Sequence, residues 1–286
     1  SSLIYAGVGI KGRSSSEAEA VFAEEWNRNP RGRECEIVSG KNVPQCQYGG
    51  DTLGAIVIGD SHAAAMVRAV EAALPSPSLH VLDWTLRSCE TVSGLKMEGD
   101  ESFQCGEFVE SAIEMSAEIE NDAPIIVINR LSVLFHGRNE APELDPKLFL
   151  THPYSARSPE YIQEMQSAFV NIICRLAESR KVYILEPVPE LVKHVPKTMG
   201  RALLSGKDDR VSVPITAHID RSKEALQAIQ QASIKCGAVV LDPLPALCSD
   251  GHCWGDKDGM PLYFDDDHLS LRGADLLIPL FRTAFD

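Results

Sequence analysis

Two short motifs at opposite ends of the 286-residue chain carry the side chains of a serine acyl-transfer site. Ser61 follows Gly59 and Asp60 at the end of an apolar run, and His268 stands three residues after Asp265. A serine hydroxyl becomes a good nucleophile when an imidazole takes its proton, and the imidazole needs a carboxylate to fix its tautomer. The sequence therefore predicts Ser61 as nucleophile, His268 as base and Asp265 as the carboxylate that orients the base.

Each motif also has a simpler interpretation. Ser61 could be an ordinary helix N-cap, and the segment around His268 could be an acidic loop with a surface histidine. Asp266 and Asp267 compete with Asp265 as the partner of the ring, but adjacent residues are expected to point away from one another. The two motifs together, in this order along the chain, favour the catalytic interpretation.

Alternating strands and helices are expected to position these residues. Apolar runs predict five strands, at residues 55–58, 79–82, 125–128, 182–185 and 238–241. Helical periodicity predicts the intervening helices, at residues 63–74, 107–119, 161–178, 222–234 and 270–285. Continuous apolar strands separated by helices form a parallel sheet covered on both faces, so the fold class is α/β. The site should then lie at the carboxyl ends of the strands, with Ser61 at a helix N-terminus that favours developing negative charge.

The residues before the first of these strands have a different character. Residues 16–26 predict a short acidic helix, and residues 30–50 are polar. We therefore divide the chain into an N-terminal linking extension, residues 1–50, and a catalytic domain, residues 51–286. The apolar run 3–10 is too short to span a bilayer, and no signal peptide is visible. The sequence is expected to be a piece of a longer protein that supplies export or an anchor.

The net charge of -14 limits the classes of partner. Phosphate binding needs a positive surface, so nucleic acid is not expected as a partner. A direct grip on anionic lipid is disfavoured for the same reason. The overall charge favours a neutral or zwitterionic substrate.

Eight cysteines suggest an oxidising compartment. Three pairs bracket short, turn-like segments and predict disulfides at Cys35–Cys46, Cys89–Cys105 and Cys248–Cys253. Cys174 and Cys236 lie in predicted helices, where we expect them to be buried and leave their pairing open. The spacing of the cysteines does not match a metal site.

The motifs resemble a known family. Gly59-Asp60-Ser61, Asn129 after the third strand, and Asp265-x-x-His268 resemble blocks I, III and V of the SGNH/GDSL hydrolases. More narrowly, Gly59-Asp60-Ser61-His62, Cys248 to Trp254 and Pro261 to Ser270 resemble the SGNH domain at the C-terminus of membrane acyltransferase-3 proteins. The resemblance implies a three-layer α/β/α fold with a central parallel sheet.

The resemblance also implies an oxyanion hole. Its donors would be the Ser61 N–H, the N–H of a block II glycine, and the Asn129 side chain. Gly94 is the natural glycine, although a donor nearer Ser88 is an alternative. The context Ile128-Asn129-Arg130-Leu131 departs from the family's Gly-x-Asn-Asp, which puts the contacts around Asn129 in doubt.

Several other side chains are left undecided by the sequence. Arg130 either faces the substrate or lies on the surface, and Trp84 and Trp254 either stack on sugar rings or pack in the core. His62 is expected to shape the start of the helix after Ser61, and His252 could flank the site.

The resemblance implies an O-acetyltransferase that moves an acetyl group through acetyl-Ser61 to a hydroxyl of a bacterial surface polysaccharide, such as the O-antigen of lipopolysaccharide. No cofactor or metal is expected in this domain, since the acetyl group would come from acetyl-CoA through an upstream membrane acyltransferase-3 domain. That arrangement implies a periplasmic domain tethered to the inner membrane, and a monomer when isolated. The alternatives are an extracytoplasmic carbohydrate acetylesterase and a catalytically decayed glycan-binding module.

Overall fold

The computed structural model describes residues 15–140 and 145–286. Part of the N-terminal extension, including the apolar run 3–10, lies outside these residues. Within them, no helix combines the length and the apolar character needed to cross a bilayer.

The structure alternates strands and helices from residue 46 onwards. The strands are β1 Cys46–Gly49, β2 Thr52–Gly59, β3 Leu79–Thr85, β4 Lys96–Met97, β5 Ile125–Ile128, β6 Leu148–Phe149, β7 Val182–Leu185, β8 Ser212–Pro214, β9 Val239–Leu241, β10 Cys248–Ser249, β11 His252–Trp254, β12 Asp256–Lys257 and β13 Met260–Pro261. The α-helices are α1 Ser16–Ala23, α2 Gly32–Cys35, α3 Ser61–Ala73, α4 Cys105–Glu118, α5 Ser132–His136, α6 Pro159–Ala177, α7 Val195–Leu204, α8 Ile215–Cys236, α9 Leu244–Leu247, α10 Leu271–Asp275 and α11 Ile278–Arg282. A 3₁₀ turn, Glu24–Trp26, follows α1.

Six strands form the central sheet in the order β1-β3-β2-β5-β7-β9. The five strands predicted from the sequence are all present and pair in parallel. Strand β1 adds to the edge of the sheet in the antiparallel direction. Gly59 at the end of β2 pairs with both Thr85 and Ile128, so the carboxyl ends of the three neighbouring strands meet at one edge.

Helices cover both faces of the sheet, as a three-layer α/β/α fold requires. Ile56 and Ile58 of β2 belong to a core cluster with residues of α4, α6 and α8. Val57, which points to the opposite face, belongs to a second cluster with residues of α3, α7, α10 and α11. Because side chains alternate along a strand and both faces are buried, the strand is apolar throughout.

The helices differ from the sequence prediction in several places. Helices α2, α5, α7 and α9 were not predicted, and α8 begins at Ile215, seven residues before the predicted start at residue 222. Helix α7 was not predicted, because Pro196 makes its first turn look like a loop, although proline is well tolerated there. The predicted helix 270–285 is divided into α10 and α11, with Pro279 in the first turn of α11. Proline lacks an N–H and its ring clashes with the carbonyl four residues earlier, so a continuous helix would be disrupted.

The N-terminal extension packs on the rest of the chain through several contacts. Helix α1 contacts α7, and the extension also supplies edge strand β1. The side chain of Asn29 donates hydrogen bonds to the Tyr48 hydroxyl and the Ala64 carbonyl, each at 2.9 Å. The domain boundary at residue 50 stays a prediction.

Disulfides join all eight cysteines. The predicted pairs Cys35–Cys46, Cys89–Cys105 and Cys248–Cys253 are confirmed. The fourth disulfide, Cys174–Cys236, links α6 to α8 across 62 residues of sequence. The sequence predicted that these two cysteines are buried. They are half-buried, since they lie on the margin of the α6–α8 contact.

Candidate active site

The predicted catalytic side chains meet at the carboxyl end of β2. Ser61 Oγ lies 2.8 Å from His268 Nε2. His268 Nδ1 lies 2.9 Å from Asp265 Oδ2, and the two atoms are in hydrogen-bonding geometry. The hydroxyl, the imidazole and the carboxylate therefore form a connected chain, as general-base activation of a serine requires.

Gly59 and Asp60 place Ser61 at the first position of α3. A Cβ on Gly59 would press against the carbonyl oxygen of Ile128, so only glycine allows β2 and β5 to end this close together. Asp60 is the N-cap of α3, and its Oδ1 accepts the His62 N–H at 2.7 Å. Its Oδ2 accepts the Arg130 N–H at 2.6 Å, which ties the loop after β5 to the nucleophile.

A closed loop holds the His268 ring. Asp265 Oδ1 accepts the backbone N–H of His268 at 2.8 Å and that of Asp267 at 3.1 Å. The Phe264 N–H donates to the His268 carbonyl at 3.1 Å, and the Phe264 ring stacks on the imidazole with centroids 5.1 Å apart. Asp265 therefore fixes both the backbone and the ring of the base.

A second carboxylate also contacts the ring. Asp267 Oδ1 lies 2.9 Å from His268 Nδ1, and Asp267 Oδ2 lies 2.7 Å from Arg130 and 3.5 Å from His62 Nε2. The expectation that the neighbouring aspartates point away from the ring is therefore wrong for Asp267. The tight turn at this loop brings the buried side chain of Asp267 back under the imidazole, so Asp265 shares Nδ1 with it.

Arg130 belongs to this buried network. Besides Asp267, its guanidinium pairs with Glu190 at 2.6 Å and with Glu140 at 2.7 Å. Glu190 also pairs with Arg221 at 2.9 Å. The sequence left open whether Arg130 faces the substrate. In the structure Arg130 lines the cleft, and its guanidinium is paired with all three of these carboxylates.

The carboxylates shift the protonation of the ring. Burial by itself would lower the pKa of His268, but the hydrogen bonds and charges of Asp265 and Asp267 outweigh burial and hold that pKa above its ordinary range. Burial would likewise raise the pKa of Asp267, but hydrogen bonds to His268 and His62 hold it below the ordinary value. His268 can act as a base only in its neutral form, which is reached as the pH rises through this raised pKa.

The other two predicted oxyanion-hole residues lie away from the cleft. Asn129 Oδ1 accepts the Thr91 N–H at 3.2 Å, and Asn129 Nδ2 donates to the Cys89 carbonyl at 3.4 Å. The backbone of Gly94 lies against Gly106 of α4. Within the described part of the chain, neither Asn129 nor Gly94 lines the cleft that contains Ser61. Their roles as oxyanion donors stay predictions.

Ser88 is the residue near which the sequence offered an alternative to Gly94 as the oxyanion donor. It lines the cleft and has a left-handed backbone, with φ of 55°. Across residues 15–140 and 145–286, the backbone N–H groups of Ser61 and Ser88 have no hydrogen-bond acceptor. Left-handed backbone costs about 1–3 kcal/mol in a residue other than glycine and is enriched at active sites.

Ser61, Asp265 and His268 open onto a cleft of about 1070 Å³. Trp26 and Arg28 of the N-terminal extension form part of its wall. No sequence motif marks these two residues as part of the site, because their place there depends on how the extension folds back.

Other side chains that the sequence left undecided lie elsewhere. Trp84 is fully buried in the core, and Trp254 packs under Arg210 at 3.8 Å from the guanidinium to the ring centroid. Trp84, Trp254 and His252 do not line the cleft in the described part of the chain. His62 is buried behind the imidazole, with ring centroids 4.5 Å apart, so it supports the base as well as the helix start.

Comparison with protein-family models identifies the chain. The model of the SGNH domain (fused to AT3 domains) matches residues 31–283. The chain belongs to this family. The match begins at residue 31, within the segment called the N-terminal extension, which also packs on the sheet through β1. A search of curated proteins found no significant match.

Solved structures share the fold. The periplasmic domain of a lipopolysaccharide acetyltransferase from Salmonella ser. Paratyphi A is 15% identical, with a TM-score of 0.61, and the match covers 95% of this chain and 97% of that one. Est24, a carbohydrate acetylesterase from Sinorhizobium meliloti, is 14% identical with a TM-score of 0.44, and the match covers 81% and 96% of the two chains. The first of these likenesses agrees with the three-layer architecture.

Proposed function

We propose that this SGNH domain is an O-acetyltransferase that transfers acetyl groups to a hydroxyl of a bacterial surface polysaccharide. The observation that carries the proposal is the hydrogen-bonded chain Ser61–His268–Asp265 at a large open cleft. Membership of the AT3-fused SGNH family supports it. So does the similarity to the periplasmic domain of a lipopolysaccharide acetyltransferase.

In the first half-reaction, Ser61 Oγ attacks the acetyl carbonyl of the donor while His268 Nε2 takes the hydroxyl proton. The carbonyl oxygen becomes an oxyanion, which hydrogen-bond donors in the cleft stabilise. The tetrahedral intermediate then collapses, and the donor leaves with the proton from His268. The product is acetyl-Ser61 and a neutral imidazole.

In the second half-reaction, a sugar hydroxyl takes the place of the donor. His268 removes its proton as the sugar oxygen attacks the acetyl-serine carbonyl, and Ser61 Oγ leaves with that proton. Asp265 keeps the Nδ1–H facing away from the reacting groups throughout. Over the two half-reactions, every proton that His268 takes is returned, and the acetyl group passes from the donor to the sugar. In this mechanism the domain itself needs no cofactor.

We propose Ser61 N–H and Ser88 N–H as the backbone oxyanion donors. Both residues line the cleft, and neither N–H has an acceptor among the described residues. Gly94 and the Asn129 side chain remain the alternatives from the sequence. A replacement of Asn129 by alanine that lowers the rate roughly 10²–10³-fold would support the side chain as a donor.

The donor side of the reaction follows from the fusion that defines the family. An AT3 domain in the membrane would deliver acetyl groups that originate from acetyl-CoA. The four disulfides support a location in an oxidising compartment, which we propose is the periplasm. The SGNH domain would act there as a tethered monomer.

The test replaces Ser61 with alanine. The purified chain should lose the release of acetate from an activated ester such as p-nitrophenyl acetate, and cells with the full-length protein should lose glycan acetylation. The fold should survive, since the position is a helix start whose change costs about 1 kcal/mol.

Full glycan acetylation by the variant would refute the transferase mechanism. Rapid ester hydrolysis by the parent chain together with unchanged glycan acetylation by the variant would favour an esterase. Glycan binding without any turnover would favour a binding module.

A further inference from the structure

One wall of the cleft comes from the N-terminal extension and is fixed to both catalytic motifs. The Asn29 side chain holds the Ala64 carbonyl of α3, one turn after the nucleophile. The Leu271 N–H donates to the Asn27 carbonyl at 2.8 Å, and Arg272 pairs with Glu24 at 3.1 Å, both just after the base. We call residues 26–33 the extension wall. These contacts hold the extension wall in a fixed position relative to Ser61 and His268.

A line of flat groups runs along this wall from the base towards solvent. Phe264 stacks on His268, with an interplanar angle of 12°. The Arg28 guanidinium lies 5.6 Å from the Phe264 ring centroid and 5.1 Å from the Trp26 ring centroid. The Trp26 side chain is 51% exposed. Ring contacts therefore orient Arg28 while its N–H groups stay available.

The extension wall carries unpaired positive charge. Arg28 and Arg33 are exposed and line the cleft. Neither pairs with a carboxylate within residues 15–140 and 145–286. Two arginines without carboxylate partners at a catalytic cleft contrast with the chain's net charge of -14.

Seven Lys and Arg side chains and five Asp and Glu side chains line the cleft, so its acidic groups do not neutralise this charge. Glu36 pairs with Arg87 at 2.7 Å, and Glu140 pairs with Arg130 at 2.7 Å. Burial, helped by the charge of Asp60, raises the pKa of Glu90 to about 8, so this carboxyl is mostly uncharged at neutral pH. The cleft therefore has local positive potential, and the overall charge is a poor guide to the substrate.

We propose that the acceptor is an acidic glycan, and that Arg28 and Arg33 bind the carboxylate of a sugar close to the one that receives the acetyl group. This inference rests on the proposed transferase function. The guanidinium fork matches a carboxylate, and the exposed face of Trp26 offers a flat surface for the sugar ring. The cleft of about 1070 Å³ is far larger than an acetyl group needs and accommodates several sugar residues.

The experiment measures binding by isothermal titration calorimetry with the 286-residue chain. The probes are hexagalacturonate, which carries carboxylates, and maltohexaose, which is neutral and of the same length. Hexagalacturonate should bind at least about tenfold more tightly at low salt, and added salt should reduce the difference. Equal affinity for the two probes, or no binding of either, would overturn the proposal.

Variants locate the site. A chain with both Arg28→Gln and Arg33→Gln should lose the preference for hexagalacturonate. The matched control is Arg282→Gln, an exposed arginine of α11 that does not line the cleft, and it should keep the preference. A preference that survives in the double variant would place anion binding elsewhere and overturn the proposal. Because binding needs no acetyl donor, failure here is distinct from failure of Ser61→Ala to remove acetyl transfer.

Discussion

The two sides of the His268 ring differ in burial and in charge pairing. On the inner side, Asp267 is 3% exposed and its carboxylate is shared among the imidazole, Arg130 and His62. On the outer side, the ring stacks on Phe264, which leads to Arg28 with no carboxylate partner in the described ranges. Paired charges hold the base from within, and unpaired charges face the space where substrate binds.

The difference follows from what each side has to do. A base must keep its ring within a few tenths of an ångström, and a closed ion network with few alternative arrangements achieves this. A binding wall must exchange water for ligand, so its donors have to be unsatisfied beforehand. In the proposed reaction, the same ring separates the part of the site that fixes geometry from the part that would select the substrate.

The sharpest test of this division compares the two carboxylates at Nδ1. Asp265→Asn should lower kcat for p-nitrophenyl acetate by roughly 10³–10⁴-fold, because the amide can favour the wrong tautomer of His268. Asp267→Asn should cost about tenfold or less, because Asp265 still holds the ring. Steady-state kinetics on the two variants measure both losses.

Thermal unfolding serves as the control for these variants. Asp267→Asn removes one partner from a buried network, so it should lower stability more than the half-exposed Asp265→Asn does. If Asp267→Asn proved the more damaging to kcat in a folded protein, Asp267 would be the orienting residue and Asp265 the support.

A second test compares two disulfides, one near the site and one remote from it. Replacing Cys89 and Cys105 by serine frees the loop that carries Ser88, which should lower kcat roughly 10–100-fold. Replacing Cys174 and Cys236 by serine should leave kcat unchanged, since that bond joins α6 to α8 outside the cleft.

Denaturant unfolding should show a similar loss of about 2–4 kcal/mol for both pairs. Equal kcat in the two variants at equal stability would mean that the Ser88 loop is held by its other contacts and not by the disulfide.

The smallest expected effect concerns pH. Because the carboxylates raise the pKa of His268, the ring is protonated below that pKa and becomes a base as pH rises through it. The kcat/KM of the free enzyme should therefore increase with pH and then level off. Asp267→Asn removes one of the charges that raise the pKa, so the rising limb should move to lower pH by about one unit. A limb that stayed in place would show that Asp265 alone sets the pKa.

Much of the scaffold could be predicted from the sequence, because its signals are local. Apolar runs such as 125–128 are strands because both faces of the sheet are covered, and short loops bracketed by cysteines close on themselves. The prediction failed where packing decides: the split into α10 and α11, the half-burial of Cys174, and the contact of Asp267 with His268. The contact of Asp267 with His268 was missed because the direction of the Asp267 side chain was judged from its position next to Asp266 in the sequence. The turn closed by Asp265 reverses that direction and brings the side chain to the ring.

The sequence by itself determined which side chains can do the chemistry, since the types and order of Ser61, Asp265 and His268 are covalent facts. It also determined the α/β class, since hydrophobic periodicity reports how each segment is buried. The tertiary structure decided how charge is distributed around that chemistry. Arg130 and Arg28 are far apart in sequence, and only the packing of the sheet and the extension brings them to Asp267 and Phe264, the residues on the two sides of the imidazole. Electrostatic effects depend on the distances between charges and on their burial, and both quantities are set by the folded structure and not by the order of residues in the sequence.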